Sequence, residues 1–199
     1  MRLSLSMTGR RRICLGSIIR IAVTPGDKHL VEIGPVHLSK ESRYFRSFQP
    51  ISKLSHKMLT EFTEIDHIDH EAIGALGTGP QNGLPLGVAR YIRMPHEPTT
   101  AEVAITVTDN QQGKGLGTLL LAILSCRAIS NDITEFCAFV LGDNHRMLEV
   151  FKELGSTTEI GTACEMEVRT LLFADAGSYP GTPAGDVVRK VSALLAKND

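Results

Sequence analysis

A glycine-rich segment lies directly before an unbroken apolar stretch of the chain, and it predicts a loop that binds an anionic group. In "VTDNQQGKGLGTLLLAIL" (107–124), Gly113, Gly115 and Gly117 alternate with other residues before an apolar run typical of a helix. The first N–H groups of a helix have no acceptor within the helix and carry partial positive charge, so they can bind a pyrophosphate. Glycines let a ligand approach the backbone closely, and Lys114 adds a positive charge. The alternative is a turn whose glycines only allow close packing.

Two common phosphate-binding motifs are excluded at this segment. The dinucleotide-binding fingerprint requires a third spaced glycine, where this chain has Leu120. The P-loop requires Ser or Thr after its lysine, whereas Gly115 follows Lys114. A second glycine cluster, "GALGTG" (74–79), is followed by Pro80 and turn residues, so it predicts a hairpin connection rather than a phosphate loop.

The strand that leads into the glycine loop contains a carboxylate that is a candidate general base. In "AEVAITV" (101–107), alternation places Glu102 and Thr106 on one face and the apolar residues at 103, 105 and 107 on the other. Because the strand around it is so apolar, we expect Glu102 to be partly buried, and burial would raise the pKa of its carboxyl and make it a usable general base, directly or through water. The alternative is an exposed carboxylate at a sheet edge.

The elements that would position these residues form a mixed α/β sheet. Periodicity and turn residues predict strands at 16–25, 71–78, 86–94, 99–109, 133–141 and 164–173. Helices are predicted in two pieces between 26 and 48, around 52–62, and at 116–131, 143–155 and 186–197. Asp143 is the predicted N-cap of the helix at 143–155, and Gly155 its end. The order of elements predicts both antiparallel and parallel strand pairs.

The composition is that of a globular protein. The 199 residues, 42% hydrophobic and 22% charged, fit one domain with tails. A net charge of −1 does not indicate nucleic-acid binding, and no apolar stretch approaches the ~18 residues of a membrane span. The four cysteines are scattered without a Cys-x-x-Cys pair, which predicts reduced core thiols rather than disulfides or a metal site. We therefore expect a cytoplasmic protein without a metal, a nucleic-acid partner or a membrane partner.

The two ends of the chain are predicted to lie outside the main domain. Residues 1–15 are expected to form a basic, disordered tail, since the first 20 residues contain five arginines and no acid precedes Asp27. An organelle transit peptide is the alternative. The domain is predicted at 16–172. A Gly/Pro/Ser/Asp linker and a C-terminal helix follow at 173–199.

The glycine loop and several other segments resemble one known family. "QQGKGLGTLL" is similar to the Gln/Arg-x-x-Gly-x-Gly/Ala coenzyme A loop of the GNAT superfamily of N-acetyltransferases, with Gln112, Gly115 and Gly117 at the motif positions. "LSKESRYFRSF", "EFTEIDHIDHEAIGAL", "GVARYIR", "AEVAITVTDNQQGKGLGTLL" and "DNHRMLEVFKELG" resemble successive segments of the bacterial protein lysine acetyltransferase branch. The likeness extends over about residues 16–172. It implies a single GNAT-type domain with a mostly antiparallel sheet, splayed at the coenzyme site and flanked by helices.

The resemblance also implies a role for individual residues. Glu102 lies ten residues before Gln112, near the spacing expected for the general base. One N–H group of the strand at 105–107 would polarise the thioester carbonyl. The residues implied to bind acetyl-CoA are Ile105, Thr106, Val107, Gln112, Gly113, Lys114, Gly115, Leu116, Gly117, Thr118, Asn144 and Phe151. For Asn144, the alternative is a capping role beside Asp143.

One residue departs from the pattern of this family. Many members have a tyrosine seven residues after the asparagine, where it protonates the departing thiolate, and this chain has Phe151 there. Phenylalanine cannot donate a proton, so the thiolate would leave unaided or take a proton from water or another group. Phe151 is expected to pack against the coenzyme or in the core.

An acidic segment, "EFTEIDHIDHE" (61–71), is implied to lie beside the entrance for the acceptor. Acidic side chains there would favour a cationic lysine. Asp66 and His70 are the candidate substrate-binding residues. A solvated acidic loop without this role is the alternative, and no spacing within the segment fixes a closed set of metal ligands.

These observations predict an acetyl-CoA-dependent N-acetyltransferase. The acetyl group would move to an amine, and the wider resemblance favours the side chain of an exposed protein lysine, by direct attack in a ternary complex with Glu102 as general base. Two alternatives stay open. One is acetylation of a small amine, and the other is a non-catalytic acyl-CoA-binding regulatory module. The sequence does not indicate an oligomeric state.

Overall fold

The computed structural model describes residues 3–5, 13–15, 18–33, 54–161 and 165–197. The strands are β1 (Leu3–Leu5), β2 (Ile13–Leu15), β3 (Ile18–Ala22), β4 (His70–Gly77), β5 (Pro85–Met94), β6 (Glu97–Val107), β7 (Glu135–Leu141), β8 (Thr157–Ile160) and β9 (Glu165–Leu171). The α-helices are α1 (Lys28–Ile33), α2 (His56–Thr63), α3 (Leu116–Ser130), α4 (His145–Glu153) and α5 (Pro183–Leu195). Short 3₁₀ turns occur at Pro25–Asp27, Gly79–Gln81, Asp109–Gln111 and Ala176–Ser178.

The described strands form one mixed sheet in the order β1-β2-β3-β4-β5-β6-β7-β9-β8. Neighbouring strands pair in antiparallel fashion throughout, apart from β6 and β7, which are parallel. The parallel pair is required by topology, because α3 connects β6 to β7 by a crossover. The predicted mixture of antiparallel and parallel pairs is confirmed.

The parallel pair separates part-way along its length. Residues of β6 pair with β7 from Thr100 to Glu102, the last of which lies opposite Cys137. Beyond Glu102, β6 continues to Val107 paired with β5 alone, and β7 beyond Cys137 continues to Leu141 paired with β9 alone. A gap therefore opens between β6 and β7, directly before the glycine loop.

The main core lies between the sheet and α3. Helix α3 is apolar on all sides because one side packs on β4, β5 and β6 while another packs on α5. Its residues 120–125 are all buried, and Ala184, Val188 and Val191 of α5 belong to the same core. The C-terminal helix therefore covers the core of the domain itself, which the sequence did not indicate.

The opposite face of the sheet is only partly covered by described residues. Helices α1 and α2 pack against each other, and α1 contacts β5. The guanidinium of Arg90 on β5 lies 4.1 Å from the centre of the Phe62 ring on α2. On β5, β7 and β9, by contrast, Ile92, Phe139 and Leu171 of this face are 50%, 40% and 57% exposed.

Several predicted elements differ from the observed ones. Residues 1–15 were expected to be disordered, but they contribute strands β1 and β2. Strand β8 was missed, because its four residues are all exposed and show no apolar alternation. The strand predicted at 16–25 is confirmed over β3, and the C-terminal helix begins at Pro183, three residues earlier than predicted. The second helical piece predicted between 26 and 48, after a break near Pro35, lies outside the described residues.

Candidate active site

The glycine loop adopts a backbone conformation that favours glycine at two positions. Gly113 and Gly115 have φ angles of +70° and +80°, and Gly115 is the N-cap residue of α3. A side chain in this left-handed region is strained. A Cβ atom at either residue would meet no atom within 4 Å, so the space in front of the loop is open. The alternative that these glycines only ease close packing is therefore wrong for Gly113 and Gly115.

The loop presents a row of free backbone donors. None of the N–H groups of residues 113–118 has a protein acceptor among the residues that the structure describes. The first bond that closes the helix is donated by Leu119 N–H to the carbonyl of Gly115, at 3.0 Å. Gly117 lies in the first turn, where a Cβ would come within 3.6 Å of Val107. This arrangement fits an oxygen-rich anion such as a pyrophosphate.

A cleft of about 1190 Å³ opens at this loop. One wall is the separated end of β6, the floor is the start of α3, and the other wall is α4 with the two residues before it. The predicted residues that line it are Ile105, Thr106, Val107, Gln112, Gly113, Gly115, Leu116, Gly117, Thr118 and Asn144. Lys114 is exposed on the loop but does not line the cleft. The structure thus brings ten of the predicted coenzyme residues together around one cavity.

A basic residue at this cleft was missed by the sequence analysis. Arg146 lies in the first turn of α4, and its Nη1 lies 3.4 Å from Oε1 of Gln112 across the cleft. Gln112 itself donates from Nε2 to Oδ1 of Asp109, at 3.0 Å. Arg146 follows Asn144 by two residues in the sequence. Its positive charge near the predicted anion site was the signal that could have identified it.

Asn144 has a structural role at the cleft. Its side-chain oxygen accepts a hydrogen bond from the N–H of Met147, at 3.3 Å, so Asn144 is the N-cap of α4. The prediction of Asp143 as N-cap is wrong, because the helix begins one residue later than the sequence pattern indicated. Gly155 does end this segment, with a φ of +81°. Since Asn144 also lines the cleft, capping and coenzyme contact are compatible.

Glu102 lies where the two parallel strands begin to separate. It is exposed, so the expected partial burial is wrong. Its side chain shares a sheet face with Ile92 on β5 and with Cys137 on β7, its two cross-strand neighbours. This face is opposite to the one on which α3 packs. Glu102 can therefore be reached by a molecule that approaches from the exposed side of the sheet.

Comparison with known protein families now identifies the domain. Residues 39–155, more than half of the chain, match the model described as "Acetyltransferase (GNAT) family". This chain belongs to that family. The separated parallel strands and the open glycine loop at a helix N-terminus are the two features of the GNAT domain that form its cleft here. The predicted family and fold class are confirmed, and with them the assignment to a family of acyltransferase enzymes.

Individual relatives place the chain more closely within the GNAT family. It is 37% identical over 138 residues to "Acetyltransferase Pat" of Mycolicibacterium smegmatis. The matched region covers 67% of this chain and 39% of the relative. The crystal structure of the GNAT domain of S. lividans PAT superposes with a TM-score of 0.72 at 28% identity, over 79% of this chain and 92% of that one. The structure of a cAMP-binding acyltransferase from Mycobacterium smegmatis superposes with a TM-score of 0.57 at 25% identity, over 98% of this chain and 55% of that one. The chain thus spans well under half the length of the curated relative.

Phe151 does not line the cleft of this GNAT domain. Its side chain is 2% exposed and belongs to the apolar core. Of the two expected environments, the structure supports the core, and the prediction that Phe151 contacts the coenzyme is not supported by the shape of the cleft. The residue that replaces the usual tyrosine therefore stabilises the fold.

Most acidic groups of the segment 61–71 already have partners. Oδ1 of Asp66 accepts hydrogen bonds from the N–H groups of Ile68, Asp69 and His70, at 2.9–3.0 Å. These donors, the N–H of His70 foremost, hold the pKa of the Asp66 carboxyl below its ordinary value. Elsewhere in the segment, Glu61 pairs with Lys57, Glu64 with Lys28, Asp69 with Arg93 and Glu71 with His67. These carboxylates are therefore engaged in local contacts, of which the exposed ion pairs add little stability.

His70 lies in the same row of the sheet as Glu102. It pairs with Ile92, which in turn pairs with Glu102, so the three side chains point to one face on adjacent strands. Nε2 of His70 is buried and has no hydrogen-bond partner within the described part of the chain. Burial, together with the positive charge of Arg90, lowers the pKa of His70 to about 4, so the ring is neutral at physiological pH. A neutral imidazole is compatible with a neighbouring cationic substrate.

Among the described residues, no group of three or more His, Cys, Asp and Glu side chains is arranged to hold a metal ion. None of the described helices is both long enough and apolar enough to cross a membrane.

Proposed function

We propose that the chain is an acetyl-CoA-dependent N-acetyltransferase that acetylates the side chain of a protein lysine. The observation that carries this proposal is the cleft with the free N–H groups of the glycine loop at one end, close to the point where β6 and β7 begin to separate. Glu102 lies at that point but on the other face of the sheet. The resemblance of several segments to the bacterial protein lysine acetyltransferase branch favours a protein acceptor over a small amine.

The residues of the cleft suit acetyl-CoA as a co-substrate. The N–H groups of 113–118 and the Arg146 guanidinium would neutralise the phosphate groups, because both present donors to the same cavity. The unpaired end of β6 at 105–107 would accept the pantetheine arm as an added strand. When bound, acetyl-CoA supplies the activated acetyl group. An N–H group of this strand would polarise its carbonyl.

Glu102 would take the proton from the acceptor amine, directly or through water. Its exposed position lets a lysine approach, and the neighbouring Ile92 provides an apolar contact for the lysine stem. We further propose that His70 borders the acceptor entrance, since it occupies the same row as Glu102. Asp66 would act there indirectly, because its carboxylate fixes the turn that positions His70.

Calorimetric titration with acetyl-CoA tests the cleft. Gly115→Glu should abolish binding, since a carboxylate would face the phosphates and the left-handed backbone would be strained. Gly83→Glu is the matched control: Gly83 has a φ of +78°, and its Cβ would also meet no atom within 4 Å, but it lies in the β4–β5 connection. Tight binding by Gly115→Glu, or no binding by the folded wild type, would overturn the proposal.

Acceptor choice tests the second half of the proposal. A lysine-containing peptide and spermidine are offered with acetyl-CoA, and release of free thiol is followed. The proposal expects turnover with the peptide and little with spermidine. The reverse result would support a small-amine acetyltransferase, and acetyl-CoA binding without turnover on any amine would support a regulatory module.

A further inference from the structure

One half of a sheet face is left exposed beside Glu102. Helices α1 and α2 lie on this side over β5 and its neighbours, whereas the strands from β6 to β8 carry exposed residues there. The cross-strand registers place Glu102, Cys137, Arg169 and Thr157 in one row on adjacent strands. We name the exposed side of β6, β7, β9 and β8, together with Ile92, the outer face.

The outer face combines large apolar side chains with carboxylates. Ile92, Phe139 and Leu171 are 50%, 40% and 57% exposed, and they lie on three different strands around Glu102 and Cys137. Exposed apolar side chains on several strands of one sheet face favour a surface that contacts another protein. The acidic residues that the registers and contacts place on this face are Glu97, Glu102, Glu135, Glu159, Glu165 and Glu167.

Positive charge is scarce on the outer face. Within its described residues, Arg169 is the one cation, and it is already shared by Glu97, Glu135 and Glu167 at 2.8–2.9 Å. These carboxylates raise the pKa of Arg169 further above its ordinary value. Among the described residues, no cation pairs with Glu102, Glu159 or Glu165, which favours a cationic partner.

Two glutamates also oppose each other directly. Glu159 on β8 is the cross-strand neighbour of Glu167 on β9. Like charges at directly opposite positions destabilise a strand pair. Arg169 contacts Glu167 but not Glu159, whose side chain is exposed on an edge strand. A cation bound near Glu159 would relieve this repulsion, so the pair points to the same kind of partner as the overall charge.

We propose that the outer face docks a basic segment of the protein substrate, with its acceptor lysine over Glu102 and further Lys or Arg residues near Glu159 and Glu165. This inference rests on the proposed function and adds the class of substrate. Three strand spacings of about 4.8 Å separate β6, which carries Glu102, from β8, and together they amount to roughly 14 Å. At about 3.4 Å per extended residue, the second basic group lies about four to five residues from the acceptor lysine.

Two peptides test the inference by binding, independently of turnover. Both contain one central lysine and identical apolar residues; one has Arg four and five residues away, and the other has Glu there. Fluorescence anisotropy with labelled peptides and the CoA-saturated full chain should show at least about tenfold tighter binding of the basic peptide. Because the contacts are exposed, the difference should shrink in 0.5 M salt. Equal binding of both peptides would overturn the inference.

Variants locate the binding surface. The double variant Glu159→Lys and Glu165→Lys should bind the basic peptide about tenfold more weakly than the wild type does. It should also bind the acidic peptide more tightly than the basic one. It should fold, because a lysine at 159 would face Glu167 rather than repel it. The control is Glu32→Lys, an exposed acid on α1, which should change neither affinity. Unchanged peptide affinity in the folded double variant would place docking elsewhere.

Further outcomes separate this inference from the proposed function and from other occupants. Preference for the basic peptide with no acetylation would retain the docking surface and contradict catalysis. Acetylation of both peptides at equal kcat/KM would support the proposed catalysis and contradict the docking surface. If sedimentation shows a dimer of the wild type that the double variant abolishes, the outer face binds a second copy of this chain and the proposed occupant is wrong.

Discussion

At the scale of single residues, the proposed chemistry depends most on Glu102. Glu102→Gln keeps the size of the side chain but removes the proton acceptor, so kcat should fall about 100-fold or more. The affinity for acetyl-CoA should stay within about twofold, since Glu102 does not line the coenzyme cleft. Steady-state kinetics and calorimetry measure the two quantities, with Glu61→Gln on α2 as control. A variant with normal kcat would show that Glu102 is not the base.

His70 gives a residue-scale prediction about pH. Burial and Arg90 lower its folded-state pKa to about 4, below an unfolded value of about 6.5, while Asp66 acts in the opposite direction. Between these values the unfolded state binds more protons at His70, so this residue makes the folded state less stable as the pH falls from about 6.5 to 4. In His70→Gln, the loss of stability over this window should be smaller than in the wild type.

Thermal unfolding from pH 7.5 to 4.5 measures that difference. His96→Gln is the control, because His96 is exposed in the β5–β6 turn. If His70→Gln follows the wild-type curve and His96→Gln does not, the half-buried imidazole of His70 is not the group that titrates.

At the scale of elements, α5 acts as part of the core rather than as a detachable tail. Thr182 Oγ1 donates to the carbonyl of Glu153 at 2.6 Å, and the Ala184 N–H donates to the Glu153 carboxylate at 2.9 Å, so α5 is tied to the end of α4. Val188 is 2% exposed in the contact with the core. Val188→Ala should lower the free energy of unfolding by about 2 kcal/mol, from lost burial and a residual cavity.

Urea denaturation measures the change, with Lys190→Ala on the exposed side of α5 as control. Lys190→Ala should shift the free energy of unfolding by no more than about 0.5 kcal/mol. Equal stability of Val188→Ala and the wild type would mean that α5 does not contribute to the folding unit.

The elements around the coenzyme cleft could be predicted because their signals are local. Alternation in β6, the spaced glycines and the apolar run of α3 are all visible within 25 consecutive residues, about 100–124. The exposure of Glu102 was not visible, because it depends on which half of the sheet α1 and α2 cover. The opposition of Glu159 and Glu167 depends on the register of β8, and β8 has no apolar alternation to reveal it.

At the scale of the whole molecule, the sheet would separate the two proposed substrates. The cleft proposed for acetyl-CoA is walled by α3, α4 and the end of β6, whereas Glu102 faces the opposite, exposed side. Both substrates would therefore be bound at the same time and would meet where β6 and β7 separate. This geometry favours direct attack in a ternary complex over transfer through an acetylated enzyme.

A thiol beside Glu102 offers the obvious alternative route, and the structure argues against it. Cys137 is 0% exposed, and burial, with Glu167 beside it, raises the pKa of its thiol to about 11, so the thiolate is scarce at neutral pH. Initial rates at several concentrations of both substrates should give intersecting double-reciprocal lines, and Cys137→Ala should keep at least about half of the wild-type kcat. Parallel lines that depend on Cys137 would mean that the acetyl group passes through this thiol, with Glu102 as its base. The ternary-complex mechanism would then be wrong although the fold and the cleft are unchanged.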